Sequence, residues 1–435
     1  MDQFDTTTRR GVILGAGAGA LSLEGAMADS GGEEVFAVRR VQADLVRYEG
    51  FGSKASGGPG DEASGDWLAG ALQALGFEVE RQALQVPFFE AEAVELALGD
   101  QSVSVLAQGP VRLTPPGGLS APLVRLEGEE AQAAARGAIA VVRLPHRRWS
   151  TRRSGAIRNA VDAAARSGVG ALVLITDGPS GEALALNAEV DAVEPFPILA
   201  VGARDGERLS AAAARGEAAR LRIEGRAGRR SAYNLVCRLE RGAGRRLVVS
   251  TPRSGWFGCM GERGGGVAAW LGLARWASRA CPLDLTFVAT SGHEYENHGG
   301  EVFLHSAMAP RPGDTALWVH LGAALAARDW HEVDGRLAPL PSVDPQRFLV
   351  ARPQLVATLR GAVAGQPGLE AVYDDAAGAG GELGEILAAG YPSVFGVLGA
   401  HRFHHSPNDD MRCVDAGQVA ATGRALLAGV RSLLA

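Results

Sequence analysis

From Ala232 to the C-terminus, short apolar runs alternate with helical segments, and this alternation constrains the fold more than any other feature of the chain. Tyr233 to Val236, Leu247 to Ser250, Leu285 to Thr290, Leu317 to Leu321 and Ser393 to Leu398 read as strands too uniformly apolar to have a wet face. Between them, Gly264 to Ala280 carries Val267, Trp270, Leu271 and Ala274 at helical spacing. Buried strands separated by helices imply a mixed, largely parallel central sheet flanked by helices, an α/β fold. Ligand sites in such sheets lie at the carboxyl ends of the strands.

Upstream, helices are expected over Glu34 to Tyr48 and Asp61 to Leu75, the latter capped by Asp61 or Ser64, followed by a strand from Phe77 to Val86. A second, smaller α/β unit is expected over residues 91–226. Its strands are Val103 to Leu106, Ala138 to Leu144, Ala171 to Ile175 and Ile198 to Val201, with a helix from Asn159 to Ser167. The 435 residues are more than one ordinary core holds. A net charge of -6, with Lys and Arg scattered among acids, excludes an electrostatic nucleic-acid binder. Four cysteines make no disulfide scaffold, and export would leave three possible pairings open.

At the N-terminus, Thr8-Arg9-Arg10, the weakly apolar Gly11 to Leu23 and Ala26-Met27-Ala28 have the order of a twin-arginine export signal over residues 1–28. The expectation is a periplasmic or secreted protein, with no membrane association after signal removal. Without a working signal the chain stays cytoplasmic. Gly15, Gly17 and Gly19 imitate a dinucleotide fingerprint, but no helix and second parallel strand follow.

The order of elements and His405-Ser406-Pro407-Asn408-Asp409 resemble metallopeptidase family twenty-eight, the zinc aminopeptidase and glutaminyl cyclase type. Gly137 to Arg143, Arg158-Asn159-Ala160, Gly168 to Ala171 and Pro197-Ile198-Leu199 resemble the protease-associated domain often inserted into it. The resemblance implies a zinc-exopeptidase-type domain over residues 29–90 and 227–435, interrupted by a protease-associated-type insert over 91–226. It also implies a partly degenerate metal site. Thr251 stands where the family has its first ligand His, Arg253 at the orienting Asp, and Gly322 at a further ligand Asp. Glu262 stands at the bridging Asp, His293-Glu294 at the Glu-Glu pair of base and ligand, and His405 at the last ligand. One divalent metal ion, zinc first and manganese or iron as alternatives, is therefore expected on Glu262, Glu294 and His405. His293 becomes the general base, or a fourth ligand. Arg253 is expected either to hold a substrate carboxylate or to neutralise Glu262 or Glu294. Trp256 and Phe257 are expected as apolar pocket walls. The implied activity is metal-dependent, aminopeptidase-like hydrolysis of a peptide or other small amide. The alternatives are an inactive binding protein that kept the fold, a cyclase-like transfer, and a metal-free nucleophile at Cys259 or Ser254 activated by His293.

Overall fold

The computed structural model describes residues 34–126, 135–148 and 150–435; the expected export signal lies outside the described residues. Five strands form the centre of the larger half. Asp284–Thr290, Arg246–Pro252, Thr315–Leu321 and Val394–Gly399 are adjacent and mutually parallel, and Arg347–Ala351 follows antiparallel to Val394–Gly399, with the short Tyr373–Asp374 beyond it. The fold is thus a mixed α/β one with a largely parallel central sheet.

Strand geometry explains why these segments are apolar throughout. Successive side chains point to opposite faces, and here both faces are covered. Leu247 and Val249, Leu285 and Phe287, and Leu317, Val319 and Leu321 enter one core with the helices Val38–Glu49, Gly265–Ala280 and Ala416–Leu434. Val248, Val288 and Trp318 enter the core on the other face with Phe303, Leu383 and Ile386, from the helices His298–Leu304 and Gly381–Ala388. Trp270 ties the first helix layer to the sheet: its ring meets Phe287 edge-on at 5.5 Å, and its indole N–H donates to the Val249 carbonyl at 3.1 Å.

On the far side of Asp284–Thr290 the sheet continues into a long antiparallel ribbon of Glu78–Leu98 and Ala218–Leu239. The ribbon was expected to be shorter. The strand expected over Phe77 to Val86 continues through Pro87, which sits in the ladder opposite Arg229 on a strand whose other side is largely unpaired, where its missing N–H is tolerated. The distal end of the ribbon pairs with Leu119–Arg125. That strand begins a second parallel set with Ile139–Arg143, Ala171–Ile175 and Ile198–Val201, packed between the helices Gly155–Ser167 and Ala203–Ala214. The two halves have separate hydrophobic cores but share one sheet. The four cysteines are buried and unpaired, and no helix among the described residues is long and apolar enough to cross a membrane.

Trp270→Ala, which removes the largest side chain of the helix–sheet contact, should destabilise the protein by about 3–5 kcal/mol. Chemical denaturation measures this, and an unchanged midpoint would contradict the packing described.

Candidate functional site

The carboxyl ends of the parallel strands open onto a cavity of about 340 Å³ lined by His293, His320, His404 and His405, with Glu382, Asn187, Thr151, Phe348 and Leu398 among the other walls. Four imidazoles facing one cavity are unusual in a chain with nine histidines.

His404 and His405 reach the cavity because the loop from His401 to Asp409 is fastened at both ends. At one end the buried Asp409 carboxylate accepts the backbone N–H groups of Gly261 at 2.6 Å and Glu262 at 3.1 Å, and the His401 ring nitrogen lies 3.1 Å away. Only glycine fits at 261, where a Cβ would lie 2.6 Å from the His401 ring and 2.9 Å from Asp409. At the other end, residues 182–185 of the smaller half hold the loop. Ser406 donates to Glu182 at 2.5 Å, Ala185 N–H donates to the His405 carbonyl at 3.0 Å, and His405 Nδ1 lies 3.0 Å from the Ala185 carbonyl.

These contacts gather Glu262, His404 and His405, all buried, so that one ligand atom of each lies within 4.8 Å of the others. A carbonyl oxygen only accepts, so His405 Nδ1 carries a proton, and its Nε2 faces Glu262 Oε1 3.4 Å away. Glu262 Oε2 and His404 Nδ1 are buried without a hydrogen-bond partner. Burial disfavours the Glu262 charge, but the Arg263 guanidinium, 2.6 Å from Oε1, and the His404 and His405 imidazoles together outweigh it and hold the carboxyl well below the ordinary range. Burial also depresses His404, which stacks on His405 with ring centroids 4.0 Å apart. A carboxylate oxygen and imidazole nitrogens converging with orphaned lone pairs are a donor set that suits a divalent transition metal.

His293 and His320 flank a second carboxylate. His293 Nδ1 lies 3.2 Å from Glu382 Oε1, which also accepts from Thr290 Oγ1 at 2.7 Å. Burial works against the Glu382 charge, but the bond from His293 and the neighbouring imidazoles keep it ionised below the usual carboxylate range. An ionised carboxylate only accepts, so in the neutral ring the His293 proton sits on Nδ1 and Nε2 offers a lone pair. That is the form a general base requires.

Several expected residues stand elsewhere. Glu294, next to His293, is outside the cluster of Glu262, His404 and His405 and turns inward. Its two oxygens accept from the Ser56 backbone N–H at 2.7 Å and Ser254 Oγ at 2.9 Å, so it fastens loops together. Arg253 does not reach the cavity and pairs with neither Glu262 nor Glu294. Fully buried, it faces Asp61 at 3.2 Å, donates to the Tyr233 and Ala289 carbonyls, and lies over the Tyr233 ring. Asp61 therefore serves as that partner and does not cap its helix, Pro59–Gln73. Trp256 stands behind the cavity wall, donating to Asn187 Oδ1 at 2.8 Å, and Phe257 occupies a left-handed turn outside the lining. Thr251 donates to the Leu321 carbonyl. Cys259 is fully buried, with burial pushing its thiol up to about 12, and the Ser254 hydroxyl is spent on Glu294, so neither is a nucleophile. Sequence reasoning missed His404, His320, Glu382 and Arg263. The clustering of His401, His404 and His405 within five residues was the one available signal.

No protein-family model matches the chain, and no curated protein matches its sequence. Solved structures share its fold. BSAP, a zinc aminopeptidase from Bacillus subtilis, superposes with a TM-score of 0.71 at 15% identity over 91% of this chain and 95% of that one. A peptidase M28 precursor from Shewanella amazonensis SB2B does so with a TM-score of 0.71 at 18% identity over 95% and 97%. An aminopeptidase from Aneurinibacillus sp. strain AM-1 gives a TM-score of 0.67 at 14% identity over 93% and 95%. The architecture is therefore that of zinc-aminopeptidase-type folds.

Arg253→Met should cost about 3–5 kcal/mol of stability by leaving Asp61 buried without its cation. Denaturation curves test this; a variant as stable as the wild type would contradict the structural role assigned to the pair.

Proposed function

We propose that this chain is an aminopeptidase-like hydrolase of peptide or other small amide bonds, working with one divalent metal ion, most suitably zinc. The observation that carries the reading is the convergence of Glu262, His404 and His405 within 4.8 Å, with Glu262 Oε2 and His404 Nδ1 orphaned and His405 Nε2 aimed at the carboxylate. His404 takes the place that the sequence motif gives to Glu294. Three protein donors leave a coordination position open, as catalytic zinc sites do. When bound, such an ion acts as a Lewis acid toward a carbonyl oxygen and makes water a stronger acid.

The remaining roles belong to the chain itself. His293 Nε2, its proton held on Nδ1 by Glu382, accepts a proton from the attacking water. Phe348 and Leu398 give the cavity an apolar side for the substrate's side chain, and Asn187 and Thr151 supply polar edges. Asn187 and Thr151 fall in the 91–226 segment, which we read as a protease-associated-type insert that shapes the cavity and braces His405 through Ala185. Residues 1–28 belong to the same proposal as an export signal to the periplasm or beyond.

A second reading rests on Arg263. Its guanidinium already neutralises Glu262 at 2.6 Å, which supports a metal-free binding protein that kept the fold. A panel of aminoacyl and peptidyl chromogenic amides separates the two. The hydrolase reading predicts turnover of at least one, loss on chelation, recovery with zinc, and a drop in kcat of about 10²–10⁴ for His293→Ala. No turnover with any amide would favour the binding protein, and turnover that survives chelation would exclude the metal.

A further inference from the structure

The fourth histidine of the cavity carries a catalytic assignment that its own hydrogen bonds dictate. His320 ends a central strand, Thr315–Leu321, and is buried against Ser250 on the neighbouring strand, with Nδ1 2.9 Å from Ser250 Oγ. Ser250 Oγ also lies 2.8 Å from the indole nitrogen of Trp318, which can only donate. The serine hydroxyl is buried, and among the described residues His320 Nδ1 is the one acceptor for its proton. Were His320 to donate instead, that proton would be stranded in a dry interior, at a cost of about 1–3 kcal/mol. Nδ1 therefore accepts, and the ring proton sits on Nε2. Nε2 is the edge away from Ser250, on the side where the ring lines the cavity. The neighbouring lining residue Gly322 leaves that edge uncovered: a Cβ there would lie 3.4 Å from Nε2.

Two imidazoles thus meet one cavity as opposite tautomers. His293, tied to an acceptor, shows a lone pair; His320, tied to a donor, shows an N–H. We propose, resting on the hydrolase reading, that His320 is a catalytic hydrogen-bond donor, its Nε2–H stabilising the negative charge that develops on the carbonyl oxygen of an amide substrate. Burial supports the assignment by pushing the His320 imidazole down to about 4, so the ring stays neutral where amide hydrolysis is measured. A neutral donor fixed in a low-dielectric cavity stabilises an oxyanion without the desolvation cost of an imidazolium.

The step balances. The water oxygen bonds to the carbonyl carbon and one water proton passes to His293 Nε2. The C=O π pair moves onto the oxygen, which the His320 N–H then holds. As the carbonyl re-forms and the C–N bond breaks, the proton on His293 goes to the departing amine. His320 keeps its proton throughout.

The test uses the chromogenic amide that the full-length wild type cleaves fastest, with His320→Gln, His320→Phe and Ser250→Ala. His320→Phe should lose about 10²–10³ in kcat with KM little moved. His320→Gln, which retains an N–H, should keep more activity than His320→Phe, and Ser250→Ala should lie between wild type and His320→Phe. Nitrogen NMR of histidine-labelled protein should show His320 neutral and protonated on Nε2 across about pH 6–8. Should His320→Phe fail to fold, Ser250→Ala and the nitrogen spectrum decide. A wild-type kcat in His320→Phe, or a proton on Nδ1, overturns the proposal alone. A wild type that cleaves no amide overturns the hydrolase reading and the proposal with it.

Discussion

The Asp409 carboxylate, accepting two consecutive backbone N–H groups from Gly261 and Glu262, is the contact on which the site depends. It joins a loop after the last strand of the sheet to the turn that opens the Gly265–Ala280 helix, two segments far apart in the chain. The turn delivers Glu262; the loop delivers His404 and His405. Without that tie, neither the carboxylate nor the imidazoles have a reason to be neighbours. Gly261 permits the approach, and His401 completes the carboxylate's shell from the other side. The smaller half adds the second fastening through Glu182 and Ala185, so a segment remote from the central sheet fixes which nitrogen of His405 faces the site.

Two buried ion pairs border the site, each costly to desolvate. Arg253 with Asp61 lies outside the cavity lining and ties the Pro59–Gln73 helix to the end of the Arg246–Pro252 strand. Arg263 with Glu262 lies at the candidate metal cluster and sets its electrostatics. An ion bound there has to share Glu262 with a permanent cation, which lowers its affinity relative to an unopposed carboxylate. Burial keeps the His404 and His320 imidazoles neutral, so these two add no positive charge.

The fold was legible in the sequence because hydrophobic period and strand length speak directly. The strands Ala171–Ile175 and Ile198–Val201 were read to the residue, and the central strands to within two residues at either end. The strand expected over Phe77 to Val86 proved the start of a longer ribbon, which runs on through Pro87 on a strand with an open side. The site was less legible, since a motif fixes where a residue lies along the chain but not which way its side chain turns. His293 and Glu294 are adjacent, and one enters the cavity while the other is captured by Ser56 and Ser254. Arg253 looked like a substrate fork because its partner, Asp61, lies far upstream in what reads as a helix cap. The tautomers of His293 and His320 depend on Glu382 and on Ser250 with Trp318, contacts across strands and helices that no local pattern encodes.

If the chain binds a metal ion as proposed, Glu262, His404 and His405 would hold it and Glu294 would not. Zinc titration calorimetry on chelator-stripped protein tests it most directly, comparing wild type, His404→Ala and Glu294→Gln. About one ion per chain is expected for wild type and Glu294→Gln, and none for His404→Ala. No binding to the wild type, or binding kept by His404→Ala and lost by Glu294→Gln, would contradict it.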